Sequence, residues 1–106
     1  EECVASIHPG GEGNDIFKLS KKIIGDAGYG DYYNHGLGHG VGIDIHELPN
    51  FNRSKNTIEV GSVITMEPGV CPPGVGGVRL EDYGVVTENG YEPFTKTPHD
   101  LHVIDC

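Results

Sequence analysis

Apolar residues recur with a helical period in the first quarter of the chain and with a period of two over most of the rest. After Asn14 or Asp15, either of which can cap a helix, Ile16, Leu19, Ile23 and Ala27 share one face, with Phe17 and Ile24 flanking it. That spacing predicts an amphipathic helix over 15–27. Gly28 ends it, because glycine adopts the left-handed backbone of a helix C-terminus without a Cβ penalty. Upstream, Glu1 to Ile7 is too short to show a period. It reads as the tail of a helix begun earlier and broken by Pro9-Gly10-Gly11.

From Tyr32 onward glycine, proline and asparagine punctuate an alternating pattern. Val41, Ile43 and Ile45 alternate with Gly42, Asp44 and His46, which predicts a strand with one buried face. Leu48 to Glu59 is polar and reads as loop. Val60 to Met66 is a second strand, and Pro68 to Gly77, with three prolines and four glycines, is a long turn region. Val78 to Thr87 is a third strand, Glu88-Asn89-Gly90-Tyr91 a hairpin into a short fourth, and Leu101 to Ile104 a final short strand. The pattern predicts an α+β chain, with one amphipathic helix followed by a mainly antiparallel, curved sheet.

Composition then narrows the class. A length of 106 residues fits one domain or part of one, and an apolar share of 36% is low for a self-sufficient core. The chain opens on Glu1-Glu2 without an initiator methionine, so a fragment or a processed chain is expected. Seven Lys and Arg against sixteen Asp and Glu give a net charge of −9, which argues against nucleic acid as partner and suits a protein that holds cations. No apolar run approaches the ~18 residues of a membrane span, so no membrane partner is expected. Cys3, Cys71 and Cys106 form no C-x-x-C pair, which leaves neither a disulfide framework nor a structural zinc site and points to a reducing, cytoplasmic compartment.

The chemistry concentrates in His35 to Pro49, HGLGHGVGIDIHELP, where fifteen residues hold three of the six histidines, four glycines, Asp44 and Glu47. Glycines at that density cost stability unless something approaches the backbone closely, and imidazoles there suggest metal or proton chemistry. Alternation puts Val63, Thr65 and Glu67 on one face of a strand, and Arg79, Glu81 and Tyr83 on one face of the next. Glu67 precedes Pro68-Gly69 and so sits at a strand end. His39 and His46 fall out of phase, and both reach one site only if the backbone bulges or bends, which Gly38, Gly40 and Gly42 allow. The expectation is that His39, Glu67 and Glu81 converge on a metal. An imidazole with carboxylate oxygens suits Mn²⁺, Co²⁺, Fe²⁺ or Zn²⁺.

Three segments in order, HGLGHGVGIDIHELP, VITMEPGV and GGVRLEDYGVVTENGYE, resemble the pita-bread metallopeptidases, and specifically their Xaa-Pro branch of prolidases and Xaa-Pro aminopeptidases. The lead-in segments IHPG and IIGDAGYGDYYNHG extend the likeness over nearly the whole chain. The arginine of VRLED favours that branch over methionine aminopeptidases. The resemblance implies that residues 1–106 are the C-terminal half of a metallopeptidase catalytic domain. It implies that His39, Glu67 and Glu81 ligate metal, that Glu67 also takes a proton from a bridging water, that His35 and His46 contact substrate, and that Arg79 stands behind the ligands.

The same resemblance implies a complete site of two divalent ions, manganese first with cobalt, zinc or iron as alternatives, and hydrolysis of the bond before proline in a dipeptide or at a peptide N-terminus. Two further aspartate ligands belong to an upstream strand pair. Asp15 and Asp26 share the expected spacing but fall on and just beyond the predicted helix, and are rejected. The expected partners are therefore the missing N-terminal half and the Xaa-Pro substrate, with a homodimer as another way to cover an exposed sheet edge. The chain alone is expected to be inactive. The alternative is a non-catalytic peptide- or protein-binding module of the same fold, against which the presence of all three ligands speaks. Cys71 reads as a packing change rather than a reactive thiol.

Overall fold

The computed structural model describes residues 1–105. A one-turn helix α1 (Glu2–Ala5) leads to the long helix α2 (Gly13–Asp26), and a 3₁₀ turn over Gly30–Tyr32 then leads into the strands. These are β1 (Gly38–Gly40), β2 (Glu47–Phe51), β3 (Val63–Met66), β4 (Gly69–Val70), β5 (Val78–Arg79), β6 (Asp82–Thr87) and β7 (Gly90–Pro93). Five of them form one antiparallel sheet in the order β2-β1-β3-β6-β7, and β4 pairs with β5 in a second, two-stranded sheet. Among the described residues no helix is long and apolar enough to cross a membrane.

The start of α2 differs from expectation. The helix begins two residues early, and neither Asn14 nor Asp15 caps it. The Gly13 amide is instead bonded by the Asn56 carbonyl at 2.9 Å, and the Asn14 side chain donates to the Asn52 carbonyl at 2.9 Å. A backbone partner from a distant loop thus does the work of a cap. Gly13 is required there, because a Cβ would come within 2.6 Å of the Asn50 carbonyl oxygen. The buried face is also rotated from the one expected. Ile16, Phe17 and Ser20 are buried, whereas Ala27 is exposed. At the other end Gly28 takes φ +87°, with Gly28 N–H donating to Gly25 and Tyr29 N–H to Ile24, the double bond of a Schellman stop.

The strand expected over 41–46 does not form. Residues 41–46 bend out of the sheet, leaving Ile43 fully exposed and Ile45 72% exposed. The pairing falls on either side of that bend, β1 against β2, so part of the expected loop 48–59 is strand and carries the buried Phe51 and, beyond it, the buried Ile58. The alternation at 41–45 has no partner strand to define a buried face. The expected third strand is also broken, at Leu80-Glu81, where the chain passes from the two-stranded sheet to the five-stranded one. The hairpin into β7 forms as expected, with Gly90 at φ +127°. Leu101 to Ile104 form no strand and are exposed.

The core lies between α2 and one face of the sheet. Ile16 and Phe17 meet Leu37, Phe51, Ile64, Met66 and Val86, with Ile7, Tyr33 and Ile58 completing the cluster. Ile64 and Met66 point inward, so Thr65 and Glu67, in alternation with them, belong to the opposite side. The sheet thereby separates an apolar side that holds the fold from a polar side that holds the candidate chemistry.

Candidate metal centre

His39 stands at the middle of β1 between two glycines whose neighbours explain them. A Cβ on Gly38 would overlap the Thr65 carbonyl of β3, and one on Gly40 the Leu48 carbonyl of β2. The two flanking strands therefore close on β1 tightly enough to fix the histidine between them. The Thr65 hydroxyl accepts the His39 amide at 3.0 Å. The ladder shifts register between His39 and Gly40, the irregularity that the phase of the histidines demanded. His46, carried on the bend, then lies with its ring 4.4 Å from that of His39.

Glu67 leaves the end of β3 with its amide bonded to the Leu37 carbonyl at 2.7 Å and its residue only 9% exposed. Its two oxygens face different partners. Oε1 accepts the Thr65 hydroxyl at 3.1 Å and lies 3.2 Å from His39 Nε2, and Oε2 accepts a hydrogen bond from Arg79 at 3.0 Å. The guanidinium balances the charge of the carboxylate and holds its second oxygen, leaving the first turned to the imidazole.

The tautomer of His39 follows from geometry. Nδ1 lies 2.9 Å from the Gly40 carbonyl, which can only accept, so Nδ1 carries the proton and Nε2 presents a lone pair when the ring is neutral. Two electron-rich atoms, Nε2 and Oε1, then face each other at 3.2 Å. A cation between or beside them relieves that repulsion, either a proton on the imidazole or a metal ion. Imidazole nitrogen with carboxylate oxygen is a donor set that divalent first-row metals accept, so the pair fits such an ion.

His35 borders the same cleft, of ≈ 280 Å³, together with His39, His46, Glu67 and Arg79. Its Nδ1–H donates to the Gly36 carbonyl at 2.6 Å and its ring stands edge-on to Tyr33, with centroids 5.1 Å apart. Asn50 and Asn52 line the cleft as well, and sequence reasoning passed over both. Only the pairing of His39 with Asn50 in the β1–β2 ladder brings Asn50 there.

Glu81 is placed apart. It is exposed in the link between β5 and β6, does not line the cleft, and has no hydrogen-bond or ion-pair partner among the described residues. Among those residues no three His, Cys, Asp or Glu side chains gather as a metal-holding group, so the expected three-way convergence is not formed within this chain. Asp15 and Asp26 lie on the outside of α2, paired with Lys18 and Lys22 respectively, and take no part in the cleft.

Comparison with known proteins gives the arrangement its context. The model of metallopeptidase family M24 matches residues 1–88. The chain belongs to metallopeptidase family M24. It is 41% identical over 105 residues to the Xaa-Pro dipeptidase of Lactobacillus delbrueckii subsp. lactis, covering 98% of this chain and 28% of that protein. It is 42% identical over 102 residues to the Xaa-Pro dipeptidase of Pyrococcus horikoshii, covering 95% of this chain and 29% of that protein. The solved prolidase from Pyrococcus horikoshii OT3 superposes with a TM-score of 0.90 at 41% identity, over 95% of this chain and 29% of that one. The X-Pro aminopeptidase of Thermotoga maritima also reaches 0.90, at 30% identity, over 96% of this chain and 29% of that one. This M24 chain thus has the α+β, pita-bread architecture of the prolidases and spans under a third of the length of those relatives.

Proposed function

We propose that this chain supplies the C-terminal half of the active site of a divalent-metal peptidase that hydrolyses the bond before proline, in a dipeptide or at a peptide N-terminus. The observation that carries the reading is the buried pair of His39 Nε2 and Glu67 Oε1, 3.2 Å apart, with Arg79 bonded behind the carboxylate. In this reading His39, Glu67 and Glu81 hold the metal, manganese first, and two aspartates outside this chain complete a two-ion site. A bound dication polarises a carbonyl and makes hydroxide available near neutral pH.

The other roles belong to the chain's own groups. Arg79 keeps Glu67 ionised and oriented, so that Oε1 can ligate and take up a proton. His35 and His46, on opposite flanks of His39, contact the substrate and steady the scissile carbonyl as negative charge develops on its oxygen. Without the two aspartates the isolated chain binds metal weakly and does not turn over substrate.

Calorimetric titration with Mn²⁺ tests this, on the chain and on His39→Ala and Glu67→Gln, with Xaa-Pro hydrolysis assayed beside it. The expected outcome is binding weakened at least tenfold by either substitution, without turnover. Affinity that ignores both substitutions overturns the half-site. A second reading, a peptide-binding module of the same fold, is favoured by the separation of Glu81 from the pair. It predicts Xaa-Pro peptide binding by a chain that takes no metal.

A further inference from the structure

The link that carries Glu81 is held on both sides while the glutamate itself is free. On one side Arg79 bonds Glu67 at 3.0 Å and Leu80 N–H donates to the Pro68 carbonyl at 3.2 Å. On the other, Asp82 opens β6 opposite Met66, and its carboxylate is met by His99 Nε2 at 3.0 Å. His99 arrives on a segment strapped along the start of β6. Phe94 N–H donates to the Tyr83 carbonyl at 2.8 Å, Tyr83 N–H donates to the Thr95 hydroxyl at 3.2 Å, and the rings of Tyr83 and Phe94 meet edge-on with centroids 5.4 Å apart.

This anchoring needs an explanation. Residues 94–99 belong to no strand, yet four separate contacts tie them to two consecutive residues, Asp82 and Tyr83. Those two residues directly follow Glu81, at the point where the chain crosses from the two-stranded sheet to the five-stranded one. A residue at such a crossing has no ladder of its own to orient it. The contacts on either side decide where its side chain can reach.

We propose that Asp82 and His99 form a positioning clasp, in which the segment Phe94–His99 holds the start of β6 and thereby presets the direction of Glu81 toward the metal. The inference rests on reading Glu81 as a ligand. Neither clasp residue touches the metal, and both act through the backbone of residues 80–82. The Asp82 side chain is 17% exposed and that of His99 48%, so the clasp closes from the solvent side, and removing the imidazole leaves the carboxylate without a partner.

The test compares the full chain with His99→Ala and with His99→Gln, whose amide can still donate to Asp82. ¹⁵N relaxation reads the order of Leu80 and Glu81, and Mn²⁺ calorimetry reads ligation, with Glu81→Ala as reference. For His99→Ala the backbone order parameters at 80 and 81 are expected to fall from about 0.85 toward 0.6 or below, while those of β3 stay unchanged. Mn²⁺ affinity falls about as far as in Glu81→Ala, and His99→Gln restores both readings. Unchanged order at 80 and 81 in His99→Ala overturns the clasp. Lost order with unchanged metal affinity overturns its positioning role. If Glu81→Ala itself leaves affinity intact, the ligand reading fails instead, and the relaxation data still report whether the clasp exists.

Discussion

Single residues on the polar side of the sheet are specified by what touches them. Glu67 has a hydroxyl, an imidazole and a guanidinium as neighbours, so each of its oxygens is committed. Tyr91 is the opposite case. Its hydroxyl is buried without a hydrogen-bond partner among the described residues. Burial first, and the negative charge of Asp82 after it, push its pKa up to about 12. The unfolded value is about 10, so the folded state favours the neutral phenol. That contribution to stability is complete below pH ~10 and is lost as pH rises toward 12. Denaturant melts between pH 9 and 12 should show the loss, and Tyr91→Phe should flatten that slope. At neutral pH the same substitution removes an unsatisfied buried hydroxyl and should stabilise the fold by about 1 kcal/mol. A destabilised Tyr91→Phe would mean that the hydroxyl has a partner after all.

At the scale of elements, the outcome of each expected segment follows from whether a neighbour gave it a face. The helix, the hairpin into β7 and the strand ending at Met66 were legible because their periods match what they pack against. The alternation at Val41, Ile43 and Ile45 was misleading, because it falls on a bend that no strand pairs with. The difference is measurable in pairs of isoleucines. Ile64 is wholly buried in β3 and Ile43 wholly exposed. Chemical denaturation should find Ile64→Ala destabilised by about 2–5 kcal/mol. Ile43→Ala should lie within about 0.5 kcal/mol of the parent. Comparable losses at both positions would show that residues 41–46 pack in solution as a strand.

The whole molecule is acidic and shares its core among few residues. Six large side chains are fully buried, Tyr33, Phe51, Leu37, Ile58, Ile64 and Val86, each contributing about 1.5–3 kcal/mol before the entropy of ordering is charged against it. Against that modest core stands a net charge of −9, of which His39 and Glu67 concentrate only a small part in the cleft. Self-repulsion of this kind is screened by salt. The thermal midpoint should therefore rise by several degrees between about 0.02 and 0.5 M NaCl, a shift of about 1 kcal/mol for a domain of this size. A midpoint that falls with salt would show that the ion pairs, such as Arg79 with Glu67, outweigh the repulsion.

The sequence by itself determined the kinds of group at the site and the order in which the chain presents them. It also determined the helix stop at Gly28 and the need for an irregularity near His39, because local backbone preference and side-chain alternation depend on neighbours along the chain. Only the tertiary structure decided which groups meet. Gly38 and Gly40 admit the Thr65 and Leu48 carbonyls, which come from strands 26 and 8 residues away and could not be read from the motif itself. Asn50 reaches the cleft through the β1–β2 ladder, and Asn56 replaces a helix cap by a bond across the fold. The separation of Glu81 from His39 and Glu67 is of the same origin, since the break at Leu80 is set by the passage between two sheets. Period and spacing report what lies along the chain, whereas a metal centre depends on distances across it.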